Sequence, residues 1–268
     1  MTLAFKLPGE VAGDFARDGA VVVRSAFTPG QVALVERGID RNLADPSPLS
    51  LVASDLGDPG TFVEDFCNWT RINEYEQFIR ESAAASIAQQ LMASTTVRLH
   101  HDHMLTKTAH TQQRTPWHQD QPYYNIDGLQ NVSMWMPVDP VPRESTLEFV
   151  AGTHRGPWLM PRTFKDNQAR WFPEGTLGEL PEVEADRDSY PILGWALEPG
   201  DALFFHMLTL HGSPGSQGRR RAFSVRFVGD DARHAMRPWR TSPPFDDLEP
   251  PLANGATFDH PLFPLLIG

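Results

Sequence analysis

Cysteine is almost absent. Cys67 is the single example in 268 residues, so no intramolecular disulfide can form and a reducing, cytoplasmic setting is expected. Basic residues are in the minority, 23 Lys and Arg against 34 Asp and Glu, for a net charge of −11. That balance argues against a nucleic-acid partner, which calls for a basic face. No apolar run approaches the roughly 18 residues of a membrane span, and residues 1–14 lack the basic-then-apolar pattern of a signal peptide. Neither a membrane partner nor an export signal is expected. Internal repeats and low-complexity tracts are also missing. What the chain does have is an ordinary hydrophobic content of 40%, enough for a sizeable core. Most of its 24 prolines fall in the last two thirds, which points to loops and short strands rather than a helical bundle.

The period of the apolar residues changes along the chain. A first helix opens at Pro8-Gly9-Glu10 and ends at the Asp18-Gly19 turn, followed by a short strand at Ala20-Val21-Val22-Val23. Thr28-Pro29 supplies an N-cap and a first-turn proline for a helix to about Leu43, with Val32, Val35 and Ile39 on one face. Residues 78–92 read as a further amphipathic helix. From Thr96 the period is two, and strands are expected at 97–107, 132–138, 147–150, 202–210 and 222–228. The chain is therefore read as one α+β domain over 1–268. It has a helical part over about 1–95, a mainly β core over about 96–230 forming a sandwich or small barrel, and an irregular strap over 231–268.

The chemistry-bearing residues lie in the β part. His118 and Asp120 are followed 91 residues later (211 − 120) by His211 and then by Arg219-Arg220-Arg221. Two imidazoles and one carboxylate can occupy one face of an octahedral ferrous ion and leave the other open, as in non-haem Fe(II) oxygenases. An arginine beyond the last ligand can grip the far carboxylate of 2-oxoglutarate. His-x-Asp alone is weak, and His100-His101-Asp102 offers the same spacing, since residues two apart on a strand share a face. Context favours His118 and Asp120, which sit where a strand enters the aromatic loop Gln121-Pro122-Tyr123-Tyr124. His211 falls on the parity of Leu203, Phe205, Met207 and Thr209, whereas His206 reads as a core histidine. On the last strand Arg220, Ala222, Ser224 and Arg226 share one face, and Phe223, Val225 and Phe227 the other. The small Ala and Ser leave room for a ligand, so Arg220 is the arginine expected to face the cosubstrate. Arg219 and Arg221 read as a solvated strand end.

Around these residues the chain resembles the phytanoyl-CoA dioxygenase family of Fe(II)/2-oxoglutarate oxygenases. The likeness is carried by Trp117-His118-Gln119-Asp120-Gln121, Val132-Ser133-Met134-Trp135, and Leu147-Glu148-Phe149-Val150 running into Gly152-Thr153-His154. It continues through Pro199-Gly200-Asp201, His211-Gly212-Ser213 and Arg220-Arg221-Ala222-Phe223-Ser224, with Arg17-Asp18-Gly19-Ala20-Val21-Val22-Val23 matching the family's opening segment. The resemblance implies a double-stranded β-helix, or jelly roll of the cupin type, with flanking N-terminal helices. It implies His118, Asp120 and His211 as iron ligands, and Arg220, Ser213, Trp135 and Lys107 as cosubstrate contacts. Two departures stand out. Thr146 replaces the usual glycine before Leu147, which is expected to alter only a loop. The step from His211 to Arg220 is only nine residues (220 − 211), which leaves the register open among Arg219, Arg220 and Arg221. Halogenating relatives replace the carboxylate with a small residue, so Asp120 points to oxidation instead.

The expected function is therefore an Fe(II)-dependent dioxygenase that uses 2-oxoglutarate and O2 to hydroxylate a small organic molecule, releasing succinate and CO2. Desaturation, epoxidation or cyclisation by the same iron chemistry is the nearest alternative, and a metal-binding β-helix protein without catalysis is the second. Gln121, Tyr123, Tyr124, Asn125, His103 and Trp239 are the candidate substrate contacts, offering hydrogen bonds and aromatic surface. An acyl-CoA is disfavoured, because no concentrated basic surface for its phosphates is evident outside the arginine run.

Overall fold

A computed structural model describes residues 5–161, 177–245 and 248–268. In chain order the elements are α1 (Gly9–Asp18), β1 (Ala20–Val23), α2 (Pro29–Ala44), β2 (Leu51–Val52), β3 (Phe62–Phe66), α3 (Asn73–Glu81), α4 (Ala84–Met92), β4 (Val97–Lys107) and β5 (Thr115–His118). There follow β6 (Ile126–Asp127), β7 (Asn131–Pro137), β8 (Glu148–Val150), β9 (Ile192–Leu193), β10 (Ala202–Phe205), β11 (His211–Ser213), β12 (Arg220–Val228), β13 (Arg233–His234) and β14 (Leu265–Ile267). The larger sheet runs β1-β10-β7-β12-β4-β3-β2, with β14 also on β4, and the smaller runs β5-β11-β8-β9. The neighbouring strands of both sheets pair antiparallel.

Strand parity on β12 decides what faces where. Phe223, Val225 and Phe227 point outward into a core shared with Phe15, Ile39, Tyr75, Phe78 and Ile87 of the four helices. Tyr75 stacks on Phe223 at 4.2 Å between ring centroids. The other face looks into the space between the sheets, where Trp135, Leu147, Phe149, Phe205 and Ala222 form a second core. The helix starting at Thr28 carries a full capping box with Gln31. Gly19 closes α1 at φ 80°, where a Cβ would strike His154 and Thr209.

Four expectations need correction. The helix read over 78–92 is two helices, because Ser82 is extended (ψ 175°) and its Oγ accepts from the Ala84 amide at 3.3 Å. The first 95 residues are less helical than expected. β3 joins the large sheet between β4 and β2, hidden in the sequence because Glu64 and Asp65 are charged yet buried. The strand read over 202–210 stops at Phe205. Residues 206–210 turn across from the large sheet to the small one, held by the Gly19 carbonyl, which accepts from the His206 amide and the Thr209 hydroxyl. His211 therefore owes its position to this crossing and not to parity along one strand. Last, Arg221 is no solvated strand end. Its guanidinium is 5% exposed and binds Asp139, Glu36 and Asp40, while Arg219 is 59% exposed. Removing one partner of a buried ion pair leaves the other uncompensated. Arg221→Met is expected to cost about 3 kcal/mol, the low end of that range because Asp139 keeps Arg219. A urea midpoint equal to wild type would contradict this.

The strap over 231–268 is irregular apart from β13 and β14, but it is not loose. Phe258 and Phe263 pack with Tyr124, Met207 and Val228 in a third apolar cluster. Among the described residues no helix is long and apolar enough to cross a membrane.

Buried histidines give the fold a definite acid response. Burial holds His100 and His211 at about 3 and His206 at about 4, against an ordinary value of 6.5. As pH falls below 6.5 the unfolded chain takes up protons that the folded chain refuses. Stability therefore drops from about pH 6.5 downward, by up to about 1.4 kcal/mol per pH unit for each histidine. Asp102, pushed up to about 6 by burial, opposes this with one proton between roughly pH 6 and 4. The histidines prevail. Urea titrations of the metal-free protein at pH 7.5, 6 and 5 should show a falling midpoint, and a flat profile would contradict the assignment.

Candidate active site

The small sheet delivers the two histidines. His118 ends β5 and lies directly opposite His211 on β11, with ring centroids 4.1 Å apart. Asp120 follows, but not on a strand: β5 ends at His118, and Asp120 has helical dihedrals (φ −71°, ψ −47°) at the entry to a 3-10 turn. The chain's turn, rather than strand parity, brings its carboxylate to 3.6 Å from His118 Nε2 and 3.8 Å from His211 Nε2. One ligand atom from each residue falls within a 4.8 Å cluster, and all three residues are buried.

The tautomers follow from the partners. His118 Nδ1 donates to the Pro116 carbonyl at 2.8 Å and His211 Nδ1 to the Thr209 carbonyl at 2.9 Å. A carbonyl can only accept, so Nδ1 holds a proton in each ring, and in the neutral ring Nε2 is the nitrogen with the lone pair, on the carboxylate side. Burial, then the neighbouring His118, brings His211 down to about 3, so it is neutral at physiological pH. With both rings neutral, two imidazole nitrogens and a carboxylate oxygen converge on one point. A bound cation satisfies that arrangement, and backbone bonds at the far nitrogen are how metal-ligating histidines are oriented.

Asp120 is anchored from behind. Its Oδ2 accepts from Ser133 Oγ at 2.6 Å and from Arg226 Nη2 at 3.2 Å, leaving Oδ1 toward the imidazoles. Burial pushes the carboxyl up, but the charge of Arg226, first among the opposing influences, helps hold Asp120 well below the usual carboxylate range. Arg226 is locked in turn by Tyr124 Oη at 3.0 Å and Ser224 Oγ at 2.7 Å.

Arg220 is the other notable cation. It projects from β12 on the same face, 5.7 Å from the Trp135 ring centroid, and donates to the Ser145 carbonyl and, at 3.3 Å, to Ser213 Oγ. Among the described residues no carboxylate lies within ion-pair reach of it. Burial brings it down to about 10. A buried guanidinium without an anion is costly, and its planar fork matches a carboxylate.

His118, Asp120, His211, Arg220, Ser213 and Trp135 line one pocket, joined by His103, Tyr123 and Tyr124. The remaining expected contacts lie outside its lining. Gln121 is buried and bonds the carbonyls of Ile126 and Gly128. Asn125 accepts from His100, and Trp239 donates to the Pro122 carbonyl. Lys107 sits behind the pocket, with Nζ on the carbonyls of Gln113 and Pro214 and 3.5 Å from Ser213 Oγ. It braces the Ser213 turn. Thr146 is fully buried with its hydroxyl unpartnered and precedes the pocket-lining Leu147 without lining the pocket itself. The rival pair is otherwise engaged: Asp102 accepts from the amides of Asn68 and Trp69, and His100 stacks on Phe263. His206 bonds the Leu129 carbonyl and the Leu208 amide, as a core histidine does. Arg226, Ser133 and Glu64 are site residues that sequence reasoning missed. Arg226 was within reach, since it shares Arg220's face of β12.

Two antiparallel sheets enclosing a preformed two-histidine, one-carboxylate cluster define a double-stranded β-helix protein with a built metal-binding centre. The family model of phytanoyl-CoA dioxygenase (PhyH) matches residues 15–222, and the chain belongs to that family. Among curated relatives it is 32% identical over 123 residues to a probable phytanoyl-CoA dioxygenase of Caenorhabditis elegans, covering 44% of this chain and 37% of that one. To the peroxisomal phytanoyl-CoA dioxygenase of Rattus norvegicus it is 30% identical over 126 residues, 45% of this chain and 35% of the relative. The matches thus span little more than a third of these relatives' length. Among solved structures, the non-heme alpha ketoglutarate dependent carbocyclase SnoK from nogalamycin biosynthesis superposes with a TM-score of 0.74 at 19% identity, over 97% of this chain and 96% of that one. The epimerase SnoN, in complex with Fe3+, alpha ketoglutarate and nogalamycin RO, gives 0.75 at 21%, over 96% and 97%. EctD from S. alaskensis, with 2-oxoglutarate and 5-hydroxyectoine, gives 0.67 at 18%, over 94% and 85%. At these identities the likeness establishes the fold.

Proposed function

We propose that the protein is an Fe(II)/2-oxoglutarate-dependent dioxygenase that hydroxylates a small organic molecule. The observation that carries this reading is the meeting of two features in one pocket: three buried side chains whose ligand atoms converge as a metal site requires, and a buried arginine with no carboxylate partner among the described residues. His118, Asp120 and His211 would hold Fe(II), and Arg220 with Ser213 would hold the C5 carboxylate of 2-oxoglutarate, with Trp135 alongside. Bound there, Fe(II) and 2-oxoglutarate supply the activation of O2, with succinate and CO2 as by-products. The protein's own part is orientation and exclusion of water. Backbone carbonyls fix both imidazoles, Ser133 and Arg226 fix Asp120, and the aromatic rings of Tyr123, Tyr124 and Trp135 dry the pocket.

Hydroxylation is the outcome proposed. A carbocyclisation or epimerisation on the same scaffold is the second reading, supported by two neighbours with those activities that align over nearly the whole chain. The test is succinate release by protein loaded with Fe(II) and 2-oxoglutarate and then exposed to O2 with a metabolite panel. Mass analysis of the product separates the outcomes, a gain of one oxygen marking hydroxylation and an unchanged mass epimerisation. No 2-oxoglutarate consumption, coupled or uncoupled, would defeat the reading.

Arg226 enters here as a positioning residue. Outer partners of metal ligands typically contribute about 10–100-fold in affinity, so Arg226→Met should weaken anaerobic Fe(II) or Co(II) binding by that factor in calorimetry. Unchanged affinity would mean that Ser133 alone holds Asp120.

A further inference from the structure

The pocket has a second polar wall, away from the metal ligands and from Arg220. Glu64 on β3 and His103 on β4 both line it, on adjacent strands of the large sheet. They form a buried pair, Glu64 Oε2 to His103 Nε2 at 3.1 Å, with side chains 4% and 5% exposed. The ring of His103 lies flat on Phe66, 3.9 Å between centroids, so its orientation is set. A carboxylate can only accept, so Nε2 carries the proton of this bond and Nδ1 is left as a lone pair. That Nδ1 is buried and has no partner. Among the described residues Glu64 Oε1 makes no hydrogen bond either. Two pocket donors are committed, Arg226 to Asp120, Tyr124 and Ser224, and the Ser224 hydroxyl to the Met134 carbonyl, while Arg220 is the residue assigned above to the cosubstrate.

The wall therefore offers acceptors, a free carboxylate oxygen among them, and an unpaired buried acceptor such as His103 Nδ1 is expensive to leave so. We propose that Glu64, aligned by His103, anchors the substrate through a hydroxyl or protonated amine that the substrate donates, so that the substrates of this pocket are alcohols, phenols or amines. This rests on the oxygenase reading above and narrows it to a substrate class. Phe66, Tyr123 and Tyr124 supply the apolar surface around the anchor, as is usual where a few polar groups orient a ligand in an aromatic pocket.

The experiment uses the full chain loaded with Fe(II) and 2-oxoglutarate, and a panel of matched pairs: phenols, cyclic alcohols and primary amines, each against its O-methyl or N-acetyl counterpart. Substrate-dependent succinate release is measured. A site built to bond a donor discriminates strongly against the analogue without it, so capped members should fall by on the order of 100-fold or more in kcat/KM. The alcohol and amine arms identify which donor is preferred. In Glu64→Gln, active members should lose at least about tenfold, mainly in KM, while their capped counterparts change little, narrowing the gap. Capped members as good as uncapped ones in the wild type would overturn the proposal, as would uncoupled turnover with no stimulation by any donor-bearing member. Glu64→Gln lowering both members of a pair equally would also overturn it. Absence of any 2-oxoglutarate turnover in the wild type would instead remove the oxygenase reading on which it rests.

Discussion

Asp120→Ala is expected to lose Fe(II) retention, by more than the roughly 10–100-fold that removal of an outer partner costs. Two things are lost together. One is the only anionic donor in the cluster, the group that makes three converging lone pairs a cation site. The other is the counter-charge of Arg226, which is 6% exposed and has Asp120 as its sole carboxylate partner among the described residues. Breaking a buried pair by removing one member costs about 3–5 kcal/mol, so the metal-free variant should also melt earlier. Asp120→Asn keeps the shape of the side chain and removes only the charge, so it should show both losses without the effect of a cavity. Calorimetric metal titration reads the first loss and urea unfolding the second. Retained Fe(II) binding in both variants would place the metal elsewhere.

Arg220→Met should behave in the opposite way toward stability. Its guanidinium is buried and has no carboxylate partner among the described residues, so replacing it with an apolar side chain of similar length removes an uncompensated charge. Such replacements are often neutral or stabilising. The metal-free variant is therefore expected to be at least as stable as wild type, while its affinity for 2-oxoglutarate falls. A charge-assisted bond contributes about 1.5–3 kcal/mol, which corresponds to roughly 10–150-fold in Kd. Fe(II) affinity without 2-oxoglutarate should hardly change. The two buried arginines of one strand face, Arg220 and Arg226, are thus predicted to differ in kind: one is unpaired until a cosubstrate arrives, and the other is permanently engaged. If Arg220→Met destabilised the protein and left 2-oxoglutarate binding intact, Arg220 would be a structural residue and the cosubstrate would lie elsewhere.

Much of this was legible in the sequence where local rules dominate. Thr28-Pro29 with Gln31 announces the helix that follows, and the alternation of Arg220, Ala222, Ser224 and Arg226 against Phe223, Val225 and Phe227 survives intact as the two faces of β12. The spacing of His118, Asp120 and His211 led to the residues that converge, although the reason differs, since a turn and a sheet crossing do what strand parity was expected to do. Illegible were features set by distant partners. Arg221 reads as a solvated end until Glu36, Asp40 and Asp139 close on it. Gln121 and Asn125 read as pocket polar groups until the backbone of residues 126–128 and His100 claim them. Glu64 carries no local signal at all, and only the pairing of β3 with β4 sets it beside His103. Arg221, Asn125 and Glu64 are committed by residues 25 to 185 positions away, which no local pattern encodes, and Gln121 by a turn five to seven residues on.

The most direct test of the central claim is anaerobic equilibrium dialysis of the intact chain against Fe(II) and 2-oxoglutarate, together and separately. The account predicts one iron and one 2-oxoglutarate per chain, with 2-oxoglutarate held far more tightly when iron is present. Protein that retains no iron while His118, Asp120 and His211 are intact, or that binds 2-oxoglutarate equally well without it, would contradict the account.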